Sequence, residues 1–247
     1  MTGTDSLPEP HVEVHADAAA LATAVAGELL NRIADSQAAG HVPAICLTGG
    51  TIADAIHREV ARMAPESGVD WGAVDFWFGD ERYVDRDSPD RNAVQARDAF
   101  LDVLGVPPHR VHEMPSPSSA RSVDEAARSY GAELRGSAAH EFLVTMLGVG
   151  PDGHIASLFP GFSQLTAHDI AVGVTGSPKP PPHRVTLTLE ALAHSAAVWF
   201  LVSGDAKADA VRRALAEDGT VAETPARGVR GTAETTWFLD HDAASLL

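Results

Sequence analysis

The sequence predicts an α/β fold, a mostly parallel β-sheet flanked by helices on both faces. Three observations predict it. Apolar runs of strand length, without polar alternation, read as strands buried on both faces: Val42 to Leu47, Val74 to Phe78, Phe142 to Leu147 and Val198 to Val202. Segments of helical period lie between them. Most of these runs stop at turns rich in Gly and Asp, the boundary at which ligands sit in such sheets.

The elements follow in order. Leu21, Val25, Leu29 and Ile33 recur at helical spacing, with Asp17 as a cap and Gly40 beyond the end. Val42 to Leu47 is a strand entering the turn Thr48-Gly49-Gly50, and Ile52, Ile56, Val60 and Met63 carry the next helix. Val74 to Phe78 is a strand stopped by Gly79-Asp80. Val94, Leu101 and Leu104 mark a helix that ends at Gly105. Ser122 and Glu125 form a capping box before another helix. Phe142 to Leu147 is a strand ended by Gly148. Val185, Leu187 and Leu189 alternate with threonines as in a half-buried strand. Val198 to Val202 is a strand, Ala206 to Leu215 a helix, and Thr236 to Leu239 the last strand. The proline-rich stretch Thr175 to Pro182, which contains Lys179, is a loop rather than a linker because alternation resumes after it. The expectation is one domain over 1–247.

The chain has 247 residues, of which 45% are hydrophobic and 21% charged, an ordinary globular composition that argues against disorder. Lys plus Arg number 18 and Asp plus Glu 34, a formal charge of −16. A field of that sign repels nucleic acid and anionic membrane, so neither is expected as a partner. It also repels a small phosphorylated molecule unless a few cations are concentrated at one spot. Cys46 is the only cysteine, within an apolar run, so no intramolecular disulfide or thiolate cluster is expected. Met1 to Pro8 has no basic region followed by an apolar one, and the apolar runs are strand-sized, so the expected location is cytoplasmic.

Four turns can carry chemistry. In Thr48-Gly49-Gly50-Thr51 the glycines let backbone N–H groups approach an anion at a helix N-terminus; the same residues also suit a plain tight turn with Thr51 as N-cap. In Gly79-Asp80-Glu81-Arg82, two carboxylates beside an arginine can orient a hydroxyl and stabilise an oxyanion, or form a solvated ion pair. Arg91 and Asn92 follow soon after. Gly148-Val149-Gly150-Pro151-Asp152-Gly153-His154 contains G-x-G-x-x-G, so a dinucleotide site is one reading. It lies late in the chain, however, and Asp152 would face the pyrophosphate. The other reading is a turn delivering His154 to the start of a helix, where the dipole favours the neutral base. In Gly204-Asp205-Ala206-Lys207, one of only two lysines sits in a first helical turn, a position that disfavours a cation unless it neutralises a bound anion. No metal site is expected: His109 and His112 fall on a short strand pointing to opposite faces.

Together these loops resemble the 6-phosphogluconolactonase family, within the glucosamine/galactosamine-6-phosphate isomerase superfamily. The likeness runs through nearly the whole chain. Its most specific parts are Gly79 to Val84, Gly148 to Gly161 and Arg184-Val185-Thr186-Leu187-Thr188-Leu189. Ile52, Arg91 and Ile155 depart from the family's usual residues. The resemblance implies a Rossmann-like fold of the sugar-phosphate isomerase type. It implies cofactor-free hydrolysis of 6-phospho-D-glucono-1,5-lactone in the oxidative pentose phosphate pathway, with that phosphosugar lactone as partner and a monomer or weak dimer as the state. His154 would be general base on water and Arg82 would stabilise the oxyanion. Asp152 and Asp80 would hold His154, Arg82 or sugar hydroxyls, and Gly49, Gly50, Thr51, Arg184 and Lys207 would grip the phosphate. Two alternatives are a glucosamine-6-phosphate deaminase/isomerase and a non-catalytic sugar-phosphate-binding domain. Arg82 after Asp-Glu, and Ser157-Leu158-Phe159-Pro160 after the histidine, favour the lactonase over the deaminase.

Overall fold

The computed structural model describes residues 7–138 and 141–247, so the start of the segment read for a leader lies outside the described residues. A six-stranded sheet runs in the order β1-β9-β8-β5-β2-β3, with every neighbouring pair parallel. Its strands are β1 (His11–His15), β2 (Ala44–Leu47), β3 (Asp75–Phe78), β5 (Phe142–Gly148), β8 (Ser195–Val202) and β9 (Glu234–Asp240). β4 (Asp80–Arg82), β6 (Ala171–Val174) and β7 (Arg184–Leu187) form a second, antiparallel sheet in the order β4-β7-β6. The helices are α1 (Ala18–Ala38), α2 (Thr51–Met63), α3 (Asn92–Ala96), α4 (Val123–Gly136), α5 (Leu189–Ala193) and α6 (Ala208–Leu215).

Period-two alternation divides the strand side chains between two cores. Ile45, Leu47, Phe76, Phe78, Val144, Met146, Trp199 and Leu201 pack with α1 and α2 on one face. Cys46, Trp77, Leu147, Val198, Phe200 and Trp237 pack with α4, α6 and the small sheet on the other. Both faces are therefore covered, which is why these strands read as unbroken apolar runs. Among the described residues no helix is long and apolar enough to cross a membrane.

The start signals of α1 and α4 hold. The Asp17 carboxylate accepts from Ala20 N–H at 2.8 Å, and Ser122 Oγ accepts from Glu125 N–H at 3.1 Å. Each such cap contributes about 1 kcal/mol. Several expectations are corrected. Arg184–Leu187 is buried throughout rather than half-buried, because the large sheet and α4 cover the small one; Leu189 instead begins α5 behind the Thr188 cap. His109 lies in a single 3-10 turn, Pro108–Arg110, not on a strand. His112 stacks on Trp77 and meets Glu133, and no cluster of metal ligands exists among the described residues. Asp205–Lys207 is a 3-10 turn, so the helix expected from Ala206 begins at Ala208. β1, β4 and β6 went unforeseen because all three are short: β1 alternates His and Glu with Val, β4 is three charged residues, and β6 is four residues that include Gly173.

One buried group gives the fold a pH dependence. His57 on α2 is 3% exposed, lies against Phe100 and leaves Nε2 without a partner. Burial pushes its pKa down to about 4, against a weaker opposite pull from Asp54. Below pH 6.5 the unfolded chain takes up a proton at this site and the folded chain does not. Stability is therefore lost as pH falls from about 6.5 to 4, by roughly 3 kcal/mol from this residue. Urea unfolding at pH 7 and pH 4.5 should give a smaller loss for His57→Leu than for the parent chain. The difference between the two cancels the other titrating groups, and an equal loss in both would refute the assignment.

Candidate active site

In the large sheet the chain runs from β2 outward to β3 on one side, and from β5 outward through β8 to β9 on the other. β2 and β5 are adjacent, so the strand order reverses between them, and a crevice opens at their carboxyl ends. A cavity of about 490 Å³ lies there. Gly49, Gly50, Thr51, Asp80, Arg82, His154, Arg184 and Lys207 all line it. Asp152 stands behind His154, outside the lining.

Thr48-Gly49-Gly50-Thr51 leaves β2 and enters α2. Gly50 is the N-cap with φ +107°, a conformation a side chain rarely adopts. Thr51 is the first helical residue rather than the cap. A Cβ on Gly49 would come within 1.9 Å of Asn92 Oδ1. The first-turn N–H groups of α2 have no intrahelical acceptor and carry the positive end of the dipole toward the cavity.

At Gly79 the chain passes from β3 into β4, changing sheets. Alternation on β4 separates Asp80 and Arg82, which face the cavity, from Glu81 between them, which does not. Asp80 accepts from Ser157 Oγ at 2.6 Å and from Asn92 Nδ2 at 3.1 Å, and lies 3.9 Å from Arg184 Nη1. Asp80 is thus tied to Ser157, Asn92 and Arg184, and no hydrogen bond or ion pair links it to Arg82 or His154. Arg82 donates to the Asp90 carbonyl, and its Nε is buried without a partner. Glu81 is buried and accepts from the N–H groups of Arg82, Asn92 and Ala93. Burial pushes its carboxyl up to about 7, against the pull of Arg91. Arg91 is 1% exposed, 3.6 Å from Glu81, and donates to the Met114 carbonyl, so it braces the loop and does not line the cavity.

Arg82 and Arg184 are register partners on β4 and β7. Like charges opposed across a strand pair repel. The Arg184 guanidinium is held below its usual range by burial first and by Arg82 as well, with Asp80 opposing. Lys207 donates to the Val149 carbonyl. Burial lowers its pKa, and the charge of Lys179 acts the same way.

His154 follows β5, but turns rather than a helix come after it, so no helix dipole acts on its ring. The G-x-G-x-x-G spacing therefore opens no dinucleotide-binding helix. Gly150 makes room for the imidazole instead, since a Cβ there would lie 2.0 Å from His154 Nδ1; a Cβ on Gly153 would lie 2.8 Å from Thr224. Asp152 Oδ1 meets His154 Nδ1 at 2.5 Å. Burial would raise the Asp152 carboxyl, but the hydrogen bond and charge of His154 outweigh it and hold the pKa at about 2. An ionised carboxylate only accepts, so Nδ1 carries a proton, and whenever the ring is neutral Nε2 is the nitrogen left as a base. Phe159 packs against the imidazole, ring centroids 4.7 Å apart. Ala156 has φ +46°, a strained conformation for a side chain at the cavity wall.

Sequence reasoning missed two anchors. Ser157 is fully buried and gives no signal apart from its partner Asp80. Asp240, at the end of β9, accepts from Ser203 Oγ and Gly204 N–H and so fixes the turn that carries Lys207. Lys179, noted in sequence only as part of a loop, also lines the cavity.

A family model described as glucosamine-6-phosphate isomerases/6-phosphogluconolactonase matches residues 16–237. The chain is 40% identical over 248 residues to a 6-phosphogluconolactonase of Streptomyces coelicolor, covering 96% of this chain and 95% of that one. It is similar to the crystal structure of 6-phosphogluconolactonase from Thermotoga maritima, with TM-score 0.83 and 27% identity, covering 94% of this chain and 100% of the other. A monomeric glucosamine-6-phosphate deaminase matches with TM-score 0.83 at 21% identity over 96% of this chain and 100% of that one, a likeness of fold alone.

Proposed function

The chain belongs to the glucosamine-6-phosphate isomerase/6-phosphogluconolactonase family, and on that premise we propose that it hydrolyses 6-phospho-D-glucono-1,5-lactone to 6-phospho-D-gluconate. The observation that carries the chemistry is the Asp152–His154 pair, with the ring facing a cation-lined cavity. In this reading Nε2 of His154 takes a proton from water as its oxygen attacks the lactone carbonyl carbon. Arg82 stabilises the oxyanion. Collapse of the tetrahedral intermediate breaks the bond from that carbon to the ring oxygen, which takes the proton from His154. The product leaves as a ring-opened acid that ionises to the carboxylate. Asp152 fixes the tautomer, and Asp80 orients Arg184 or a sugar hydroxyl. Gly49, Gly50, Thr51, Arg184 and Lys207 hold the phosphate, so that binding energy from the remote end positions the carbonyl. A cytoplasmic location and a monomer or weak dimer belong to the same proposal.

The lactonase reading is favoured over the deaminase by 40% identity to a curated lactonase across the chain. It is also supported by Arg82 after Glu81 and by Ser157 in the Asp80 network. Freshly generated lactone should disappear far faster than by spontaneous hydrolysis, while glucosamine 6-phosphate releases no ammonia. Ammonia release without lactone consumption would reverse the choice.

A further inference from the structure

We propose that Arg91 is a positioning residue for the reaction: it touches no substrate, and through Glu81 it sets where the Arg82 guanidinium stands. The inference rests on the lactonase reading above and adds to it a residue outside the cavity. Asp90-Arg91-Asn92 meets the site at consecutive residues. The Asp90 carbonyl accepts from Arg82 Nη1, and among the described residues this is the one hydrogen bond to that guanidinium, whose Nε has no partner. The Asn92 side chain donates to the Asp80 carbonyl at 2.8 Å and to the Asp80 carboxylate at 3.1 Å. Between them the Arg91 side chain is 1% exposed and lies outside the cavity lining.

Arg91 ties this tripeptide to the body of the fold at two points. Nη2 donates to the Met114 carbonyl at 2.6 Å, and Nε lies 3.6 Å from Glu81 Oε2. Nε and Nη1 make no hydrogen bond, so attraction between two buried charges is what joins Arg91 to Glu81. Glu81 passes the hold on. Its Oε1 accepts from Arg82 N–H at 2.8 Å and from Asn92 N–H at 2.7 Å, bridging β4 to the start of α3, and Oε2 accepts from Ala93 N–H at 3.0 Å. All four groups that reach this carboxylate among the described residues are donors. A proton on Glu81 would find no acceptor and would face one of them, so the bridge needs the ionised form. Burial opposes ionisation, and the Arg91 charge is the largest influence in its favour. Asp80 and Arg82 flank Glu81 on β4, and Arg184 on β7 and Tyr130 on α4 also feel its charge. Without Arg91 the buried carboxylate loses its counter-charge and takes up a proton at higher pH. The link between Arg82 and residues 90–92 then slackens, while the residues assigned to the phosphate stay in place.

The test compares the parent enzyme with Arg91→Met, Arg91→Gln and Arg91→Lys. Arg91→Gln keeps a donor for the Met114 carbonyl and removes the charge. Lactone consumption, corrected for spontaneous hydrolysis, is followed against pH. In both uncharged variants kcat is expected to fall about 10- to 100-fold, the cost of a misplaced group. KM should stay within about twofold. The acid limb of the kcat profile should move up by about one pH unit or more, as for loss of an opposite charge. Arg91→Lys should recover most of kcat and the parent limb. Adding Glu81→Gln to Arg91→Gln removes the titrating group and should remove the shifted limb. A merely structural Arg91 would lower the thermal midpoint and leave the limb where it is. Parent-like kcat, an unmoved limb, a rise in KM in place of the fall in kcat, or no recovery with lysine overturns the inference. A parent enzyme that consumes no lactone overturns the lactonase reading and this role with it, whereas a parent that turns over while the Arg91 variants match it overturns this role alone.

Discussion

His154→Ala is expected to lower kcat for lactone hydrolysis by about 10³-fold, within the range for loss of a positioned general base. The side chain is the one basic group in the lining with a free ring nitrogen, since Nδ1 is committed to Asp152. Removing it takes away the proton acceptor and leaves Arg82, Arg184 and both lysines in place. Affinity for 6-phosphogluconate should therefore change little. The measurement is a lactone-consumption assay corrected for spontaneous hydrolysis, paired with calorimetric binding of the product. Turnover near the parent value would remove His154 from the mechanism. Loss of product binding together with turnover would make it a structural residue. Asp152, held at about 2, stays ionised down to about pH 3 and so contributes no limb to the rate profile near neutrality.

Gly150→Ala is expected to cost about 10²-fold in kcat although it deletes no catalytic group. The new methyl would overlap His154 Cε1 and Nδ1 at 2.0 Å and Asp152 Oδ1 at 2.6 Å. These are side-chain atoms, so the ring and carboxylate move aside while the backbone turn, with Gly150 N–H on the His154 carbonyl at 2.9 Å, persists. Phe159 limits where the ring can go. The thermal midpoint should consequently shift by only a few degrees while kcat falls. Parent-like turnover in Gly150→Ala would mean that the ring does not work from the position described here.

Both expectations depend on how the turn after β5 is built, and that turn divides what was legible from what was not. The residues at this turn were identifiable because Gly, Asp and His cluster directly after an apolar run. Their geometry was not. The expected helix after His154 is absent, and the environment of the ring is set by Asp152 and Phe159 rather than by a helix dipole. Similarly, Gly79-Asp80-Glu81-Arg82 read as one charged loop. The structure splits it by alternation, sending Asp80 and Arg82 to the cavity and Glu81 to a buried contact with Arg91. The role of Arg91 could not be read, because its contacts with Glu81 and the Met114 carbonyl are made through folding of the loops and follow no local period.

The charge distribution has the same division. A net charge of −16 with two lysines is a property of composition, and it set the requirement that any anion site be a local concentration of cations. Covered faces, parallel strands and the chemistry-bearing turns were likewise determined by the sequence, because hydrophobic period and turn residues act over a few neighbours. Only the tertiary structure decided that Arg82, Lys179, Arg184 and Lys207 meet. They come from β4, the β6–β7 loop, β7 and the turn after β8, brought together by the reversal of strand order between β2 and β5 and by the register of β4 on β7. Strand order and inter-strand register are fixed by packing between segments far apart in the chain, and local periodicity carries no record of it.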